Sequence, residues 1–232
     1  MNYSVREFRH IVGRFLHAHG CSRHLVNPLR DLLLSAQADG FDVLTELERT
    51  RPEIAGFTGA LAATGATSYD ACGQAAYAVA PDLIDRLVIA AAAADGTATI
   101  VLAGATGTEL LSHLAGYARL RGVDRLQVEL GADGAEVSGT FVGRPANLSA
   151  RTSEGPGVAS ALVSGFDAEV EQFWRLFHES NEALTPDSEL SRQHAGAQLR
   201  DAQGNVIGEV DEESYLYIRS QVELPDEVAS RC

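Results

Sequence analysis

Hydrophobic and polar positions along the chain fall into blocks of recognisable period. Val5, Phe8, Ile11, Val12, Phe15 and Leu16 recur at helical spacing, and the pattern stops near Gly20. In front of it, Ser4-Val5-Arg6-Glu7 has the form of a capping box, and Tyr3 is placed to staple onto Phe8. A second helical stripe, Leu25, Leu29, Leu32, Leu33 and Ala36, starts from about Ser22 or Asn27 with Pro28 near its first turn, and ends by Gly40. Residues 41–48 predict a further helical turn or two, broken at Arg51-Pro52, and residues 56–65 are small and apolar, suited to a tight helix or a connector.

Residues 66–139 carry the densest run of signals. Pro81-Asp82 predicts a helix start, because proline at the first helical position loses no hydrogen bond and aspartate meets the positive end of the dipole. Leu83, Ile84, Leu87, Val88 and Ala91 continue that helix until Asp95-Gly96. Residues 97–103 form a β-branched apolar run that predicts a buried strand. The turn 104–108 then leads into an expected helix over 109–121, with Leu110, Leu111, Leu114, Tyr117 and Ala118 as its apolar face and Gly122 closing it. Leu126, Val128 and Leu130 alternate with Arg125, Gln127 and Glu129, which predicts a strand with one wet face. Asp133-Gly134 predicts a hairpin, and 135–142 the returning strand.

Residues 144–157, with Pro145 and Pro156 among serines, threonines and glycines, read as a loop. From Asp167 an amphipathic helix is expected, with Val170, Phe173, Trp174 and Phe177 on an aromatic face that suits a core or a dimer interface. Beyond a turn that begins at Thr185, Ala202-Gln203-Gly204-Asn205 separates two short runs, 215–222 has strand character, and 225–232 reads as a tail. The fold class is therefore α/β of the mixed α+β kind: an N-terminal helical hairpin, a central mixed sheet with flanking helices, and a C-terminal amphipathic helix with short strands. The organisation read from this pattern is a helical region over 1–62, a mixed core over 63–222 and a tail over 223–232.

Composition narrows the chemistry. The hydrophobic fraction of 45% is that of an ordinary globular protein, and no apolar run approaches the roughly 18 residues of a membrane span, so a cytoplasmic protein with no membrane partner is expected. A net charge of −14 makes attraction to nucleic acid unfavourable. Residues 1–30 are the exception, with five arginines against Glu7 alone, which is +4 and leaves −18 for the rest. That basic face suits an acidic surface, such as that of a second subunit. Every basic residue is arginine, which excludes a lysine Schiff base, a phosphate-loop lysine and a lysine general base.

Individual residues add weaker expectations. Cys21, Cys72 and Cys232 form no paired pattern, and Cys72 is read as a small buried residue, since neither a base nor an electropositive setting stands near it. The N-terminal hairpin holds His10, His17, His19 and His24 without an i, i+4 pair or an acidic ligand set, so solvated helix positions are expected and no metal. Two short helices joined tightly invite a helix-turn-helix reading, but the second offers few polar residues for base edges, and a packed hairpin is the better expectation. In the turn, Gly104, Thr106, Gly107 and Thr108 follow a strand and open a helix, where backbone N–H groups could hold a phosphate of a cofactor such as NAD(P), although the three-glycine dinucleotide fingerprint is absent. His113 and Asp70 are an acid/base candidate pair, and His178 and His194 have no recognisable partner.

Two resemblances follow from quoted stretches. The N-terminal hairpin, Ala63-Thr64-Gly65-Ala66-Thr67 with Gly73-Gln74-Ala75-Ala76, and residues 100–118 resemble the non-Rossmann NAD(P)-dependent malate/L-lactate dehydrogenases over about half the chain. That family's Gly-His-Asp-Ser-His-Gly stretch falls on Gly40-Phe41-Asp42-Val43-Leu44-Thr45, which sets Leu44 where its catalytic histidine stands and Val43 where the neighbouring serine stands. Its Ser-Asn-His-Phe-Gly stretch falls near 106–111, where there is no histidine, so the resemblance implies that hydride transfer is lost. Trp174-Arg175-Leu176, Thr185-Pro186-Asp187-Ser188-Glu189-Leu190-Ser191-Arg192 and Ala195-Gly196-Ala197 are similar to a bacterial family of unknown function, and this is the closer match. It implies no activity. Ser191 and Arg192 are the pair it preserves best, and Arg192 is a candidate to bind a carboxylate.

The expected function is that of a cytoplasmic homodimer that binds a small anionic metabolite, or assists a metabolic enzyme, without redox chemistry of its own. The alternatives are an NAD(P)-dependent oxidoreductase acting on a 2-oxo or 2-hydroxy acid, and a helix-turn-helix DNA-binding regulator.

Overall fold

The computed structural model describes residues 1–143, 156–184, 198–200 and 206–209. These fall into two units, Met1–Leu184 and a second that begins at Thr185.

The first unit opens with a short strand β1 (Asn2–Tyr3) and helix α1 (Val5–Ala18). The capping box forms as the sequence predicts. Ser4 Oγ accepts from the Glu7 N–H at 3.2 Å, and Glu7 Oε2 accepts from the Ser4 N–H at 2.7 Å. Tyr3 stacks on Phe8 with ring centroids 6.4 Å apart, which completes the staple. Helix α2 (Arg23–Ala38) begins at the earlier of the two expected starts, so Pro28 lies inside it. Helix α3 (Val43–Thr50) is capped by Asp42 and passes into a 3-10 turn, Arg51–Gly56, where Pro52 ends the α-helical ladder.

The central sheet runs in the order β2-β3-β4-β6-β5: β2 (Ala62–Ala63), β3 (Ser68–Asp70), β4 (Thr97–Ala103), β6 (Gly134–Phe141) and β5 (Val123–Gly131). Strands β3 and β4 are parallel, and the other pairings are antiparallel, so the sheet is mixed. The hairpin expected at Asp133-Gly134 joins β5 to β6, with Val128 opposite Val137. Strand β3 carries no period-2 signal of its own because it is only three residues long, and its role comes from pairing with β4.

Two predicted helices differ from the structure. Helix α4 (Ala76–Ala93) starts five residues before Pro81, which lies inside it. Residues 76–80 are all fully buried, so tertiary packing outweighs the proline's missing donor. The helix expected over 109–121 is two pieces, a 3-10 segment Thr108–His113 and the short α5 (Ala115–Leu120). Leu110, Leu111 and Leu114 are all buried, and the 3-10 segment packs on α4, β5 and α2.

After β6 come α6 (Pro156–Ser164), β7 (Phe166–Asp167) and α7 (Val170–Ser180). Residues 144–155 of the expected loop lie outside the described residues, and its last two begin α6. Strand β7 pairs antiparallel with β1, Tyr3 opposite Phe166. Helix α7 starts three residues after Asp167, where Glu169 accepts from the N–H groups of Glu171 and Gln172. Its buried face is Phe173, Leu176 and Ser180, whereas Val170 and Trp174 are about half exposed, contrary to the aromatic stripe expected from spacing alone.

One continuous core links α1, α2 and α3 to the sheet, and α2 sits at its centre, packed on α1, α3, α4, α5 and α6. Among the described residues no helix is long and apolar enough to cross a membrane. In the second unit, β8 (Gln198–Arg200) and β9 (Val206–Glu209) pair antiparallel. The strand expected over 215–222 lies outside the described residues.

Candidate functional site

The capping box fixes where α1 begins and therefore which positions face outward. With Val5, Phe8, Ile11, Val12, Phe15 and Leu16 buried, Arg6, His10 and Arg14 rise along one line at intervals of four residues. Helix α7 lies beside this line and supplies Phe177 and Ser180. Between the two helices runs an open trough of about 540 Å³ lined by Ser4, Arg6, Glu7, His10, Ile11, Arg14, Phe177 and Ser180. Its volume is within the range of small-ligand sites, and it has an apolar wall facing polar groups.

Several contacts hold α7 in place. Arg175 Nε donates to Glu48 at 2.6 Å, and Gln172 donates to both Thr45 and Glu48. Farther along, Glu179 meets Arg51 at 3.0 Å and lies 3.6 Å from His19 Nε2, and His19 packs on Phe15. His19 is therefore half-buried in the helix contact, unlike the exposed His10, His17 and His24 and unlike the solvated position expected for it. At the end of the trough Arg14 reaches Asn181 at 3.5 Å.

The charges in the trough are unevenly committed. Backbone and side-chain hydrogen bonds from Ser4 hold the Glu7 carboxyl below its ordinary range, so this carboxylate is ionised and turned toward the helix start. Among the described residues no ion pair involves Arg6 or Arg14. A smaller hollow on the other side of Arg6 and His10 contains Arg9 and Arg30, and both of these pair with Asp31. The α1–α7 trough therefore holds two arginines in no ion pair among the described residues, and a shallower hollow next to it shares Arg14 with Arg23, which is likewise in none.

The turn that the sequence singled out has different surroundings. The Thr106 N–H donates to the Gln74 carbonyl, and the Thr106 carbonyl accepts from the Ala76 N–H, so this turn is laced to the segment before α4. Gly104 and Gly107 are left-handed, and a Cβ on Gly104 would run into the Asp70 carboxylate. One on Gly107 would lie 2.5 Å from Glu46 Oε1, and Thr108 opens a 3-10 segment of six residues. Asp70 beside Gly104, and a short 3-10 segment in place of the long helix, weaken the electrostatic case for a phosphate there, whereas Glu46 beside Gly107 is paired with Arg49. Asp70 accepts from the Cys72 N–H, while His113 contacts Asp39 and Phe41, so each member of the proposed acid/base pair has a different partner. Cys72 is exposed in a left-handed conformation, not buried, because the Asp70 turn directs it outward and Ala71 and Ala75 take the interior positions.

Val43 and Leu44, set by resemblance against a catalytic serine and histidine, are core positions of α3, 0% and 2% exposed. His178 stacks near Trp174 on the exposed side of α7. Ser191, Arg192 and His194 lie outside the described residues. Among the described residues no group of three or more His, Cys, Asp or Glu side chains is placed to hold a metal. Sequence reading noted the basic excess of residues 1–30 but not its pairing with Phe177, because the contact joins helices about 165 residues apart. The chain matches no family model, no curated protein and no solved structure.

Proposed function

We propose that this protein is a binding or accessory protein that takes an anionic ligand in the α1–α7 trough and carries out no redox chemistry of its own. The observation that carries the reading is the line of Arg6, His10 and Arg14 against Phe177, in a chain whose net charge is −14. Arginine in a partly apolar trough presents planar donors suited to carboxylate or phosphate, and the acidic remainder of the molecule disfavours a large polyanion. The positions aligned with the dehydrogenase histidine and serine supply only buried aliphatic groups, which neither donate nor accept a proton.

Calorimetric titration with citrate, 2-oxo dicarboxylates, phosphate esters, NADH and NADPH tests this, together with thermal denaturation, since a ligand selective for the folded state raises its melting temperature. Saturable binding that is lost in Arg6→Ala/Arg14→Ala is expected. Binding that the double variant leaves intact would move the site elsewhere. Oxidation of NADH in the presence of a 2-oxo acid would overturn the non-redox reading.

A further inference from the structure

The shape of the trough says more about its occupant. It follows α1 from Ser4 to Arg14, a rise of roughly 15 Å at the helical 1.5 Å per residue. That is the length of about five residues of extended chain at roughly 3.3 Å each. Arg6, His10 and Arg14 are spaced by about 6 Å along the axis, one every four residues. In an extended peptide the side chains on one side recur every second residue, roughly 6.6 Å apart. The two repeats nearly coincide over three positions.

Resting on the anion-binding reading above, we infer that the trough docks an extended acidic peptide of a partner protein, with acidic residues alternating at every second position and an apolar side chain set against Phe177. Charge complementarity favours such a peptide over other anions. Its few carboxylates match the two arginines on either side of His10, with the Glu7 carboxylate turned to Ser4 at the helix start, whereas a nucleic acid would extend its charge over the acidic remainder of the molecule. The wall also asks for an apolar group. Phe177 is half-buried, and Trp174, about half exposed, lies against it with ring centroids 5.5 Å apart. Together they continue the trough into an aromatic surface, the kind of anchor on which docked peptides depend. The committed pairs Arg9–Asp31 and Arg30–Asp31 leave the neighbouring hollow a poorer competitor.

Fluorescence anisotropy of the full chain with two labelled peptides of equal composition tests the inference: Glu-Ala-Glu-Ala-Glu-Phe, and Glu-Glu-Glu-Ala-Ala-Phe as the contiguous isomer. The alternating peptide is expected to bind at least about fivefold tighter, with affinity that falls as salt rises. Arg6→Glu/Arg14→Glu should weaken it by at least about tenfold, while Arg119→Glu on α5 should leave it unchanged. Because the comparison of isomers uses the unaltered protein, it stands even if the double variant folds poorly. Equal binding of the isomers would overturn the inference. Binding of citrate without either peptide would overturn it too, while leaving the anion-binding reading intact. Displacement of the peptide by an oligonucleotide that binds more tightly would reassign the face to nucleic acid, and binding of no anion at all would end both readings.

Discussion

Thr50 and Tyr77 share a buried hydroxyl contact whose proton assignment follows from counting donors. Thr50 Oγ1 lies 2.8 Å from the Glu46 carbonyl and 2.9 Å from the Tyr77 hydroxyl, and both residues are fully buried. Threonine has one hydroxyl proton, and only it can serve the Glu46 carbonyl, so Tyr77 donates to Thr50. Burial pushes the Tyr77 phenol far above its ordinary range, which keeps it a neutral donor at any working pH. Thr50→Val therefore strands a buried O–H, a loss of about 1–3 kcal/mol, partly offset by the added methyl at about 0.8 kcal/mol. Tyr77→Phe leaves Thr50 still bonded to Glu46 and should cost about 1 kcal/mol. With both changes no stranded donor remains, so the double variant should be no less stable than Thr50→Val alone, a coupling of about 1 kcal/mol. Urea unfolding followed by circular dichroism measures each difference, at about 1–3 kcal/mol per molar urea. Strictly additive losses would show that the two hydroxyls do not share a proton in this way.

Other outcomes follow from the caps and ion pairs. Ser4→Ala removes the side-chain N-cap of α1 and the hydroxyl donor to Glu7, leaving the backbone N–H donor in place, and should cost about 1 kcal/mol, or roughly 2–4 °C in thermal midpoint; an unchanged midpoint would show that the side-chain cap contributes nothing. Burial raises the Glu48 carboxyl, but hydrogen bonds from Arg175 and Gln172 and the charges of Arg175 and Arg51 outweigh it, so Glu48, like Glu7, titrates below its ordinary value of 4.5. Folded values below unfolded ones mean that their stabilisation is present above about pH 4.5 and is lost as pH falls through the folded values. Melting temperatures from pH 7 to 3 should therefore fall less steeply at the acid end in Arg175→Met than in the native chain, and an identical profile would remove Glu48 from the account.

Local signals were legible where a few adjacent residues decide the outcome. The Ser4–Glu7 box, the Tyr3–Phe8 staple and the Asp133-Gly134 hairpin all form as expected, because their determinants lie within a few positions; β4 forms over the expected residues but is not the buried strand its apolar run suggests, since only Ile100 and Leu102 are buried and Val101 faces outward. The same rules misplace the start of α4, where the fully buried residues 76–80, Tyr77 among them, extend the helix against local preference. They also do not give the 3-10 winding at Thr108–His113, a segment whose buried Leu110 and Leu111 lie among α4, β5 and α2. For the site, the basic excess of residues 1–30 was visible as a count, yet its orientation came only from the phase of α1. The aromatic wall could not be placed, since Phe177 turns toward the trough while Trp174, three residues earlier, turns toward solvent. The glycine turn at Gly104 and Gly107 stands out by composition, but its glycines make room for the Asp70 carboxylate and for the Glu46–Arg49 pair.

The contacts of β1 and α1 with β7 and the end of α7 also bear on the order in which the molecule is assembled. Asn2 meets Asp167 across 165 residues, and Arg14 meets Asn181 across 167. Closing so long a span costs more chain entropy than forming the β5–β6 hairpin or the α1–α2 pair, and contacts of this kind are slow to form. Helix α7 is thus a natural late arrival, and its local release would remove one wall of the trough while leaving the central sheet paired. An occupant that touches both Arg6 and Phe177 would bind only the closed arrangement, and so would act as a latch between the two ends of the first unit.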